Sequence, residues 1–471
     1  MFTRLSLRLR IFLFFCLLAL GGVAISGLAL WIGWSRADPP VPGAPFLNAG
    51  VIASFLTLAL VIGIWLLFDE NVAKPIERLA AQMRGRAHAG VDAALDTQAA
   101  RYLGDLAPAA QAVAERLSGN TLDIAAAIAR ETERLQAEKA RLTTLLTEVP
   151  VAMILVNPLH QIVLYDGQAA EVLSAIAPPR LNAPLADYFE SEALNAAHDR
   201  LARTGREVTF EALSTDGAQS YDARLKPLDQ AEGYMMLIDA GHVELSPDAA
   251  RPLVYDFDLL NAAPASADTR ATRLRDLCFV AFDSETTGLL PHKDDVVQLG
   301  AVRVLNGRIV PGEQIDTYVD PGRPIPPAST KVHKVADAHV RGAPDIVAAG
   351  RRLHGFARDA VLVAHNAPFD LAFLKRHAGE MGVAWDHPVL DTVLLSAVVF
   401  GASETHTLDA LCDRLGIEIP QAERHTALGD ARATAEALVR MIPMLEGRGL
   451  STFGEVIAET RKHGRLLADL N

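Results

Sequence analysis

The sequence predicts a membrane-attached α/β protein, in which two spanning helices precede a small α+β domain and a larger α/β domain. Three observations support this order. Two long apolar runs lie within residues 1–70, and short strand-like segments separated by turns occupy residues 150–240. From residue 273 onward, apolar runs typical of buried strands alternate with helical segments, and acidic residues follow two of these runs.

The composition agrees with this division. Hydrophobic residues make up 50% of the 471 residues and charged residues 21%, which excludes a disordered or collagen-like chain. The mean hydropathy of +0.18 is high for a soluble protein. The formal charge of −13 excludes a uniformly basic nucleic-acid-binding surface, although it leaves room for a local basic groove. The three cysteines form no C-x-x-C pair, which excludes a disulfide framework and a cysteine-based zinc site.

Residues 1–70 are expected to form two transmembrane helices. The apolar runs at 11–34 and 46–68 each exceed the ~20 residues that a helix needs to cross a bilayer. The alternative is a cleaved signal peptide, but its apolar region is usually much shorter than the first run. Basic residues flank the outer ends of the two runs: Arg4, Arg8, Arg10, Lys74, Arg78, Arg84 and Arg86. The positive-inside rule therefore predicts a multi-pass protein of the bacterial inner (cytoplasmic) membrane with its other domains in the cytoplasm.

Residues 71–118 follow the second run as an amphipathic segment. Apolar residues recur at helical spacing at Ile76, Leu79 and Met83, just after Pro75. This stretch resembles the start of a HAMP signal-transmitting linker. An ordinary amphipathic juxtamembrane helix is the alternative.

Residues 119–149 are expected to form a helical connector. Ile128, Leu135, Leu142 and Val149 lie seven residues apart, as in a coiled coil. A short coiled coil would make the chain a parallel homodimer, and a solvated connector helix is the alternative. The pattern leaves both open.

Residues 150–240 show the order strand, turn, strand, helix and then a late strand pair. The turn lies at Asn157 and Pro158, between apolar runs at 151–156 and 161–165. This order resembles a PAS sensor domain, which implies a small-molecule ligand of unknown identity. His160 and His198 are candidate ligand contacts, with ordinary structural or surface histidines as the alternative. Residues 241–272, rich in Ala, Pro, Asp and Ser, are interpreted as a linker.

The most informative segment is a buried strand that ends in two carboxylates. Asp283 and Glu285 are two residues apart, so on a strand both side chains project from the same face. Two adjacent carboxylates repel each other unless a cation lies between them. A single D-x-E pattern is a weak signal of such a site.

Two later segments strengthen the prediction of a cation site. The apolar run 360–364 leads into a predicted helix with Asp370 in its first turn, close to Pro368. Asp430 lies near the start of another predicted helix, and His425 precedes it by five residues. Five residues correspond to about 140° around a helix. His425 and Asp430 therefore reach one site only if His425 lies on a loop ahead of the helix.

Three motifs together carry a family resemblance: FDSETTG at 282–288, HNAPFD at 365–370 and H-x4-D at 425–430. In this order they resemble the DEDDh 3′–5′ exonuclease superfamily, to which the epsilon subunit of bacterial DNA polymerase III belongs. The resemblance implies an RNase H-like domain at 273–445, a mixed five-stranded sheet with flanking helices. Residues 446–471 then form a C-terminal tail. One departure is Gln298, where many relatives have an acidic residue.

The resemblance also implies the site residues and their roles. Four carboxylates would hold two divalent ions, Mg²⁺ or Mn²⁺, and His425 would be the general base: the ligands are Asp283, Glu285, Asp370 and Asp430. Oxygen ligands suit these hard ions independently of the family. Four further residues are expected to contact the terminal nucleotide: Thr286, Thr287, Leu289 and His333. The implied product is a nucleoside 5′-monophosphate, released from nucleic acid with a free 3′ end.

Three functions are consistent with the sequence. The first is a membrane-anchored 3′–5′ exonuclease, acting on DNA or RNA single strands and regulated by the PAS-like domain. The second is a sensory protein that uses the exonuclease fold to bind nucleotides or nucleic-acid ends without turnover. The third is a proofreading subunit associated with DNA polymerase III. The complete set of predicted metal ligands favours the first function over the second.

Overall fold

A computed structural model describes most of the chain. The described residues are 7–37, 41–89, 103, 104, 106, 109, 151–228, 233–239, 253–262 and 268–471. The connector predicted at 119–149 and much of the HAMP-like segment lie outside them, so the coiled coil and the HAMP-like region stay predictions. The chain divides into two compact units, Met1–Asp123 and Ile124–Asn471.

The first unit contains an antiparallel pair of long apolar helices. By length and composition, both helices could cross a membrane. Side chains such as Phe14 and Leu17 are about 70% exposed, as suits contact with lipid. Arg8 donates to both carboxylate oxygens of Asp69 at 2.8 and 2.7 Å, which ties the start of the first helix to the end of the second. The elements are α1 (Leu7–Ser35), α2 (Ala44–Phe68), a π-helical turn (Asp69–Ala73) and α3 (Lys74–Ala89).

The second unit begins with the small α+β domain. Its six strands pair antiparallel in the order β3-β4-β5-β1-β2-β6. His160 Nδ1 lies 2.8 Å from the hydroxyl of Tyr234, and the His198 ring packs against His160. The PAS identity and its ligand stay predictions. The elements are β1 (Val151–Val156), β2 (Ile162–Tyr165), α4 (Gly167–Ser174), α5 (Ser191–Thr204), β3 (Val208–Leu213), β4 (Ser220–Pro227), β5 (Tyr234–Asp239) and β6 (Val254–Tyr255).

The larger domain contains the mixed five-stranded sheet that the sequence predicts, which confirms the RNase H-like fold class. The order is β11-β10-β7-β8-β9, in which β7, β8 and β9 are antiparallel and β10 and β11 run parallel to β7. The strands are β7 (Phe279–Thr286), β8 (Val296–Leu305), β9 (Arg308–Tyr318), β10 (Val361–Ala364) and β11 (Val389–Asp391).

Helices flank this sheet. They are α6 (Pro327–His333), α7 (Asp337–Val340), α8 (Ile346–Phe356), α9 (Ala367–Arg376), α10 (Ala378–Met381), α11 (Thr392–Phe400), α12 (Leu408–Leu415), α13 (Ala427–Glu446) and α14 (Phe453–Thr460). The longest, α13, packs across β7, β8 and β9. Every residue of β8 is buried, so this strand lies at the centre of the domain.

The two domains of the second unit share one hydrophobic core. Leu305 of β8 and Val310 of β9 belong to the same buried cluster as the small domain's own side chains. Within the predicted linker, residues 253–262 add β6 to the small domain's sheet. Asp256 of this segment accepts a hydrogen bond from the Asn306 side chain at 2.6 Å. The structure therefore joins the two domains by direct packing.

A buried ion pair lies at this domain interface. Arg303 Nε and Glu313 Oε2 are 2.8 Å apart, with side chains 3% and 0% exposed. Glu313 Oε1 accepts from the small domain, through the Tyr165 hydroxyl at 3.1 Å and the backbone N–H of Leu181. Burial raises the pKa of the Glu313 carboxyl in spite of the opposing effect of Arg303. The small domain thus supplies hydrogen bonds that this buried carboxylate needs.

Candidate active site

The structure brings three of the predicted acidic residues together at the end of β7. One carboxylate oxygen from each of Asp283, Glu285 and Asp430 lies within 4.8 Å of the others. Asp283 and Glu285 share a face because they are two residues apart on the strand. Asp430 enters from the first turns of α13.

A glycine on β8 allows α13 to approach this closely. Gly300 lies opposite Asp283 in the sheet. A Cβ atom at Gly300 would lie only 2.2 Å from the Ala427 carbonyl carbon and the Leu428 nitrogen, so the helix start rests directly on the strand. This close approach places Asp430 beside the carboxylates of β7.

Asp370 lies next to this group in a separate hydrogen-bonding environment. Its Oδ1 accepts from the backbone N–H and the hydroxyl of Ser284, at 3.2 and 2.5 Å. Burial raises the pKa of Asp370 to about 7, against the lowering effect of the Ser284 hydrogen bonds. Asp370 also raises the pKa of Asp283, which shows that the two carboxylates are close. One oxygen of the predicted fourth ligand is therefore held by the β7 backbone and side chain.

Asp391 has a structural role next to the site. Its two carboxylate oxygens accept from the backbone N–H groups of Val393 at 2.8 Å and Ala367 at 2.6 Å. It thereby caps α11 and fixes the start of α9, the helix that carries Asp370. Asp391 is a positioning residue because it acts on Asp370 through the backbone of α9.

The electrostatics of the cluster fit a divalent cation. Burial raises the pKa of Asp283 well above its usual range, and the neighbouring carboxylates raise it further. The same two effects raise the pKa of Glu285 to about 8. Burial likewise raises the pKa of Asp430. Ionising these carboxylates without a counter-charge costs free energy. A hard cation bound between their oxygens would stabilise the ionised forms.

His425 occupies the predicted position ahead of α13. It is exposed and has a left-handed backbone conformation, with φ of 56°, while Thr426 caps the helix by accepting from Gly429 N–H at 3.1 Å. The Asp430 backbone N–H donates to the carbonyl of Thr426, the residue after His425, at 3.0 Å, and against the raising effect of burial the charge of His425 lowers the pKa of Asp430. The structure therefore places an exposed imidazole at the edge of the carboxylate cluster.

The four predicted substrate contacts differ in accessibility. Leu289 is 80% exposed and is free to contact a nucleotide. The hydroxyls of Thr286 and Thr287 are engaged within the loop, donating to the Gly288 carbonyl at 2.7 Å and accepting from Asp295 N–H at 3.0 Å respectively. His333 is 4% exposed, and its Nε2 has no hydrogen-bond partner in the described part of the chain.

Two arginines that the sequence did not assign to this loop hold it in place. Arg323 contacts the Thr287 hydroxyl at 2.8 Å and Asp295 at 2.7 Å. Arg376 also pairs with Asp295 and donates to the carbonyl of Pro291 at 2.5 Å. Sequence reasoning missed both because an arginine far along the chain gives no sign of its acidic partner. The exposed Leu289 is thus presented by a cross-linked loop.

The raised carboxyl pKa values predict pH-dependent metal binding. In the folded protein without metal, Asp370 and Glu285 retain protons up to about pH 7 and 8. These protons must leave before a cation binds, so its affinity should rise with pH between about 6 and 8, by up to roughly tenfold per pH unit for each proton released. We expect the increase in melting temperature on adding Mn²⁺ to be larger at pH 8 than at pH 6, measured by differential scanning fluorimetry.

In the metal-free protein, the melting temperature should change with pH in the opposite direction. A carboxyl group with a raised folded-state pKa favours the folded state at low pH, and this contribution is lost as the pH rises from the unfolded value near 4 through the folded value. The melting temperature without metal should therefore fall between about pH 6 and 8. A Mn²⁺ effect that is equal at both pH values would contradict this description of the site.

This chain is similar to known proteins in sequence and in fold. The exonuclease family model RNase_T matches residues 280–438. A DNA polymerase III subunit epsilon-like protein of Rhodobacter capsulatus is 35% identical over 701 aligned positions, covering 100% of this chain and 99% of that protein. The DNA polymerase III PolC-type protein of Caldanaerobacter subterraneus is 36% identical over 178 residues, covering 38% of this chain and 12% of that protein. The solved structure of E. coli Exonuclease I in complex with a dT13 oligonucleotide has a TM-score of 0.32 and 20% identity, covering 36% of this chain and 41% of that chain.

Proposed function

This chain belongs to the family of DNA polymerase III epsilon-like exonucleases, and from that premise we propose that it removes nucleoside 5′-monophosphates from the 3′ end of single-stranded nucleic acid. The observation that carries the proposal is the convergence of Asp283, Glu285 and Asp430 at the end of β7, with His425 at their edge. This arrangement joins a cation-binding group to an accessible base.

The acidic residues would hold the metal ions. Asp283, Glu285 and Asp430 supply converging oxygens, and Asp370, whose Oδ1 is held by Ser284, would add its second oxygen. When bound, two Mg²⁺ or Mn²⁺ ions supply Lewis-acid stabilisation of the attacking and leaving oxygens in phosphodiester hydrolysis. Asp370 is buried and the other three carboxylates are half-buried, which limits the water that competes for the ions.

His425 would act as the general base. An imidazole can accept a proton at neutral pH, and His425 is exposed at the edge of the cluster, where a water molecule can reach it. Its position on the loop ahead of α13 lets the ring move without displacing Asp430. The proton from the attacking water would pass to this ring while the bond between phosphorus and the 3′ oxygen of the preceding nucleotide breaks. That oxygen would take a proton from solvent and become the new 3′ hydroxyl of the strand.

We also propose that the enzyme is anchored in the membrane and regulated by the small domain. The two apolar helices support anchoring, and the flanking basic residues support a cytoplasmic location for the second unit. The shared core and the Arg303–Glu313 pair support mechanical coupling of the small domain to β8 and β9. A small-molecule ligand of the PAS-like domain and a homodimer through residues 119–149 remain part of this proposal.

The test uses the full chain in detergent micelles. We would incubate it with 5′-labelled single-stranded DNA and RNA oligonucleotides, with Mg²⁺ or Mn²⁺, and follow the ladder of shortened products. Stepwise loss from the 3′ end that stops on adding EDTA supports the proposal, and the ratio of DNA to RNA rates identifies the substrate. Binding of the oligonucleotides with no cleavage would instead favour a sensor that recognises nucleic-acid ends.

The variant His425→Ala separates proton transfer from metal binding. General-base catalysis typically contributes about 10²–10⁴-fold, so kcat should fall by roughly that factor. The stabilisation by Mn²⁺ should remain, because the carboxylates are unchanged. Gln421→Ala, an exposed residue of the same loop, is the matched control and should keep its kcat. Unchanged kcat in His425→Ala would exclude this residue as the base.

A further inference from the structure

A group of unpaired cations lies on the surface formed by α6 and α7. Lys331, Lys334 and Arg341 are exposed, and within the described parts of the chain none of them forms an ion pair. Tyr318 and His339 lie on the same surface, with their rings stacked at 5.5 Å between centroids and 15° between planes. We call these five residues the α6–α7 track.

The track adjoins the loop that follows the site carboxylates. Ser329 of α6 donates to the Thr287 carbonyl at 2.7 Å, two residues beyond Glu285. The neighbour of Lys334, His333, is 4% exposed, so the C-terminal end of α6 is anchored in the domain. The cationic end of α6 is therefore fixed beside the site.

Tyr318, from the aromatic pair of the track, lies in the same row of the sheet as Glu285 of the site. Glu285 pairs with Gln298, and Gln298 pairs with Tyr318, so the three residues form one row on β7, β8 and β9. Residues directly opposite each other in antiparallel strands share a face. With strands about 4.8 Å apart, Tyr318 lies roughly 10 Å from Glu285 along the sheet. That distance corresponds to one or two nucleotides of an extended strand.

Lys334 has a conformation that its residue type disfavours. It is the residue after α6, with a left-handed φ of 62°. Helices that end this way usually carry glycine or asparagine there, because a long side chain is strained in this region. Four of the described non-glycine residues with positive φ are asparagine or aspartate, the types that tolerate it: Asn182, Asn306, Asn366 and Asp359. A lysine in a strained position next to the proposed reaction site is consistent with a role for its charge.

We propose that the α6–α7 track binds the nucleotides that precede the 3′-terminal one, with its cations on phosphates and its aromatic pair stacked on a base. This inference rests on the proposed exonuclease function and deepens it by naming the substrate: single strands long enough to reach the track. Phosphate contacts by three cations and stacking on an aromatic face both suit single strands of any sequence. The exposed Val332, between Lys331 and Lys334, adds an apolar contact for a sugar or base.

The track predicts a length-dependent KM. With the full chain in detergent micelles, KM should fall as single-stranded oligothymidylates lengthen from two to about six nucleotides, and kcat should change little. KM for the longer oligonucleotides should also rise with salt, since each phosphate contact contributes about 0.7 to the logarithmic salt slope for single strands.

The decisive variant is Lys334→Gly. Glycine relieves the left-handed strain, so the melting temperature should rise or stay constant, while KM for a six-nucleotide strand should rise roughly tenfold at constant kcat. Lys334→Asn, which also tolerates this backbone, should behave in the same way. Asp359→Gly is the matched control: it places glycine at another exposed position with positive φ and should leave KM unchanged. Tyr318→Ala should raise KM by about 5–100-fold through lost stacking.

The outcomes separate the two proposals. A wild-type protein that cleaves no oligonucleotide contradicts the exonuclease function itself. An active wild-type protein whose KM is independent of length, or a Lys334→Gly variant with unchanged KM and salt dependence, overturns the track and leaves the exonuclease intact. Loss of melting temperature in both Lys334 variants would show that the lysine serves the fold, which also overturns the inference.

Discussion

Replacing Asp283 by asparagine is expected to abolish the exonuclease activity and, in metal-free buffer, to raise the melting temperature of the protein. The two effects have one cause. Asp283 is half-buried beside three other carboxylates, and burial together with their charges raises its pKa well above the usual range. A neutral amide removes that repulsion from the metal-free protein, with the larger gain at pH 8, where the acids are driven to ionise.

The loss of activity follows from the loss of the cation. A metal that polarises the reacting phosphate supplies several kcal/mol of transition-state stabilisation. Its removal should lower kcat by about 10³-fold or more. Stabilisation of Asp283→Asn by Mn²⁺ should also largely disappear. Both quantities are measured on one preparation, by the oligonucleotide assay and by scanning fluorimetry.

Asp316→Asn provides the matched control. Asp316 is an exposed aspartate on β9, in the same row of the sheet as Asp283 and Gly300. Its Oδ1 accepts from the Gln298 side chain at 3.0 Å, a bond that asparagine can preserve. This variant should keep its activity and its response to Mn²⁺. If Asp283→Asn retained the wild-type response to Mn²⁺, the carboxylate cluster could not be the metal site.

The second large effect is on stability and arises at the domain interface. Glu313→Gln leaves the Arg303 guanidinium buried without its counter-charge. Breaking a buried ion pair in this way usually costs about 3–5 kcal/mol. For the second unit, Ile124–Asn471, that corresponds to a fall in melting temperature of roughly 4–7 °C. Scanning fluorimetry of the full chain in detergent measures it.

Two further variants test whether the unpaired buried charge of Arg303 causes this loss of stability. The double substitution Arg303→Met with Glu313→Gln removes both charges and should recover part of the lost stability, because no buried charge is left unpaired and the amide oxygen still accepts from Tyr165 and Leu181. Glu207→Gln, which breaks exposed pairs with Arg224 and Lys226 at 3.4 and 3.3 Å, should change the stability by less than about 1 kcal/mol. Equal effects of Glu313→Gln and Glu207→Gln would show that the interface pair is not a structural requirement.

The sequence predicts those features that depend on local periodicity. The two-residue spacing of Asp283 and Glu285 is enough to place both side chains on one face of β7. The geometry of a helical turn is enough to require a loop position for His425, and the structure has it there. The apolar runs in residues 1–70 likewise predict two long helices from length and composition alone.

Features that depend on distant partners could not be predicted in this way. Arg303 and Glu313 read as ordinary exposed charges on two strands, because nothing local shows that Tyr165 and Leu181 will cover them. The hydroxyls of Thr286 and Thr287 were expected at the substrate, yet both bond within their own loop. Hydrogen-bond partners of this kind are fixed only after the chain has folded.

Because the small domain donates hydrogen bonds to Glu313, the two sides of this interface are synthesised at different times. Residues 151–262 leave the ribosome before β8 and β9, so Tyr165 and Leu181 first exist without their partner. At 5–20 residues per second, the chain needs about 3–11 seconds more to extend to the end of β9. During that interval the nascent small domain exposes part of its apolar core to chaperones and proteases. Asp430 is added later still, so the active site is completed only after the surface that supports its central strand has been made.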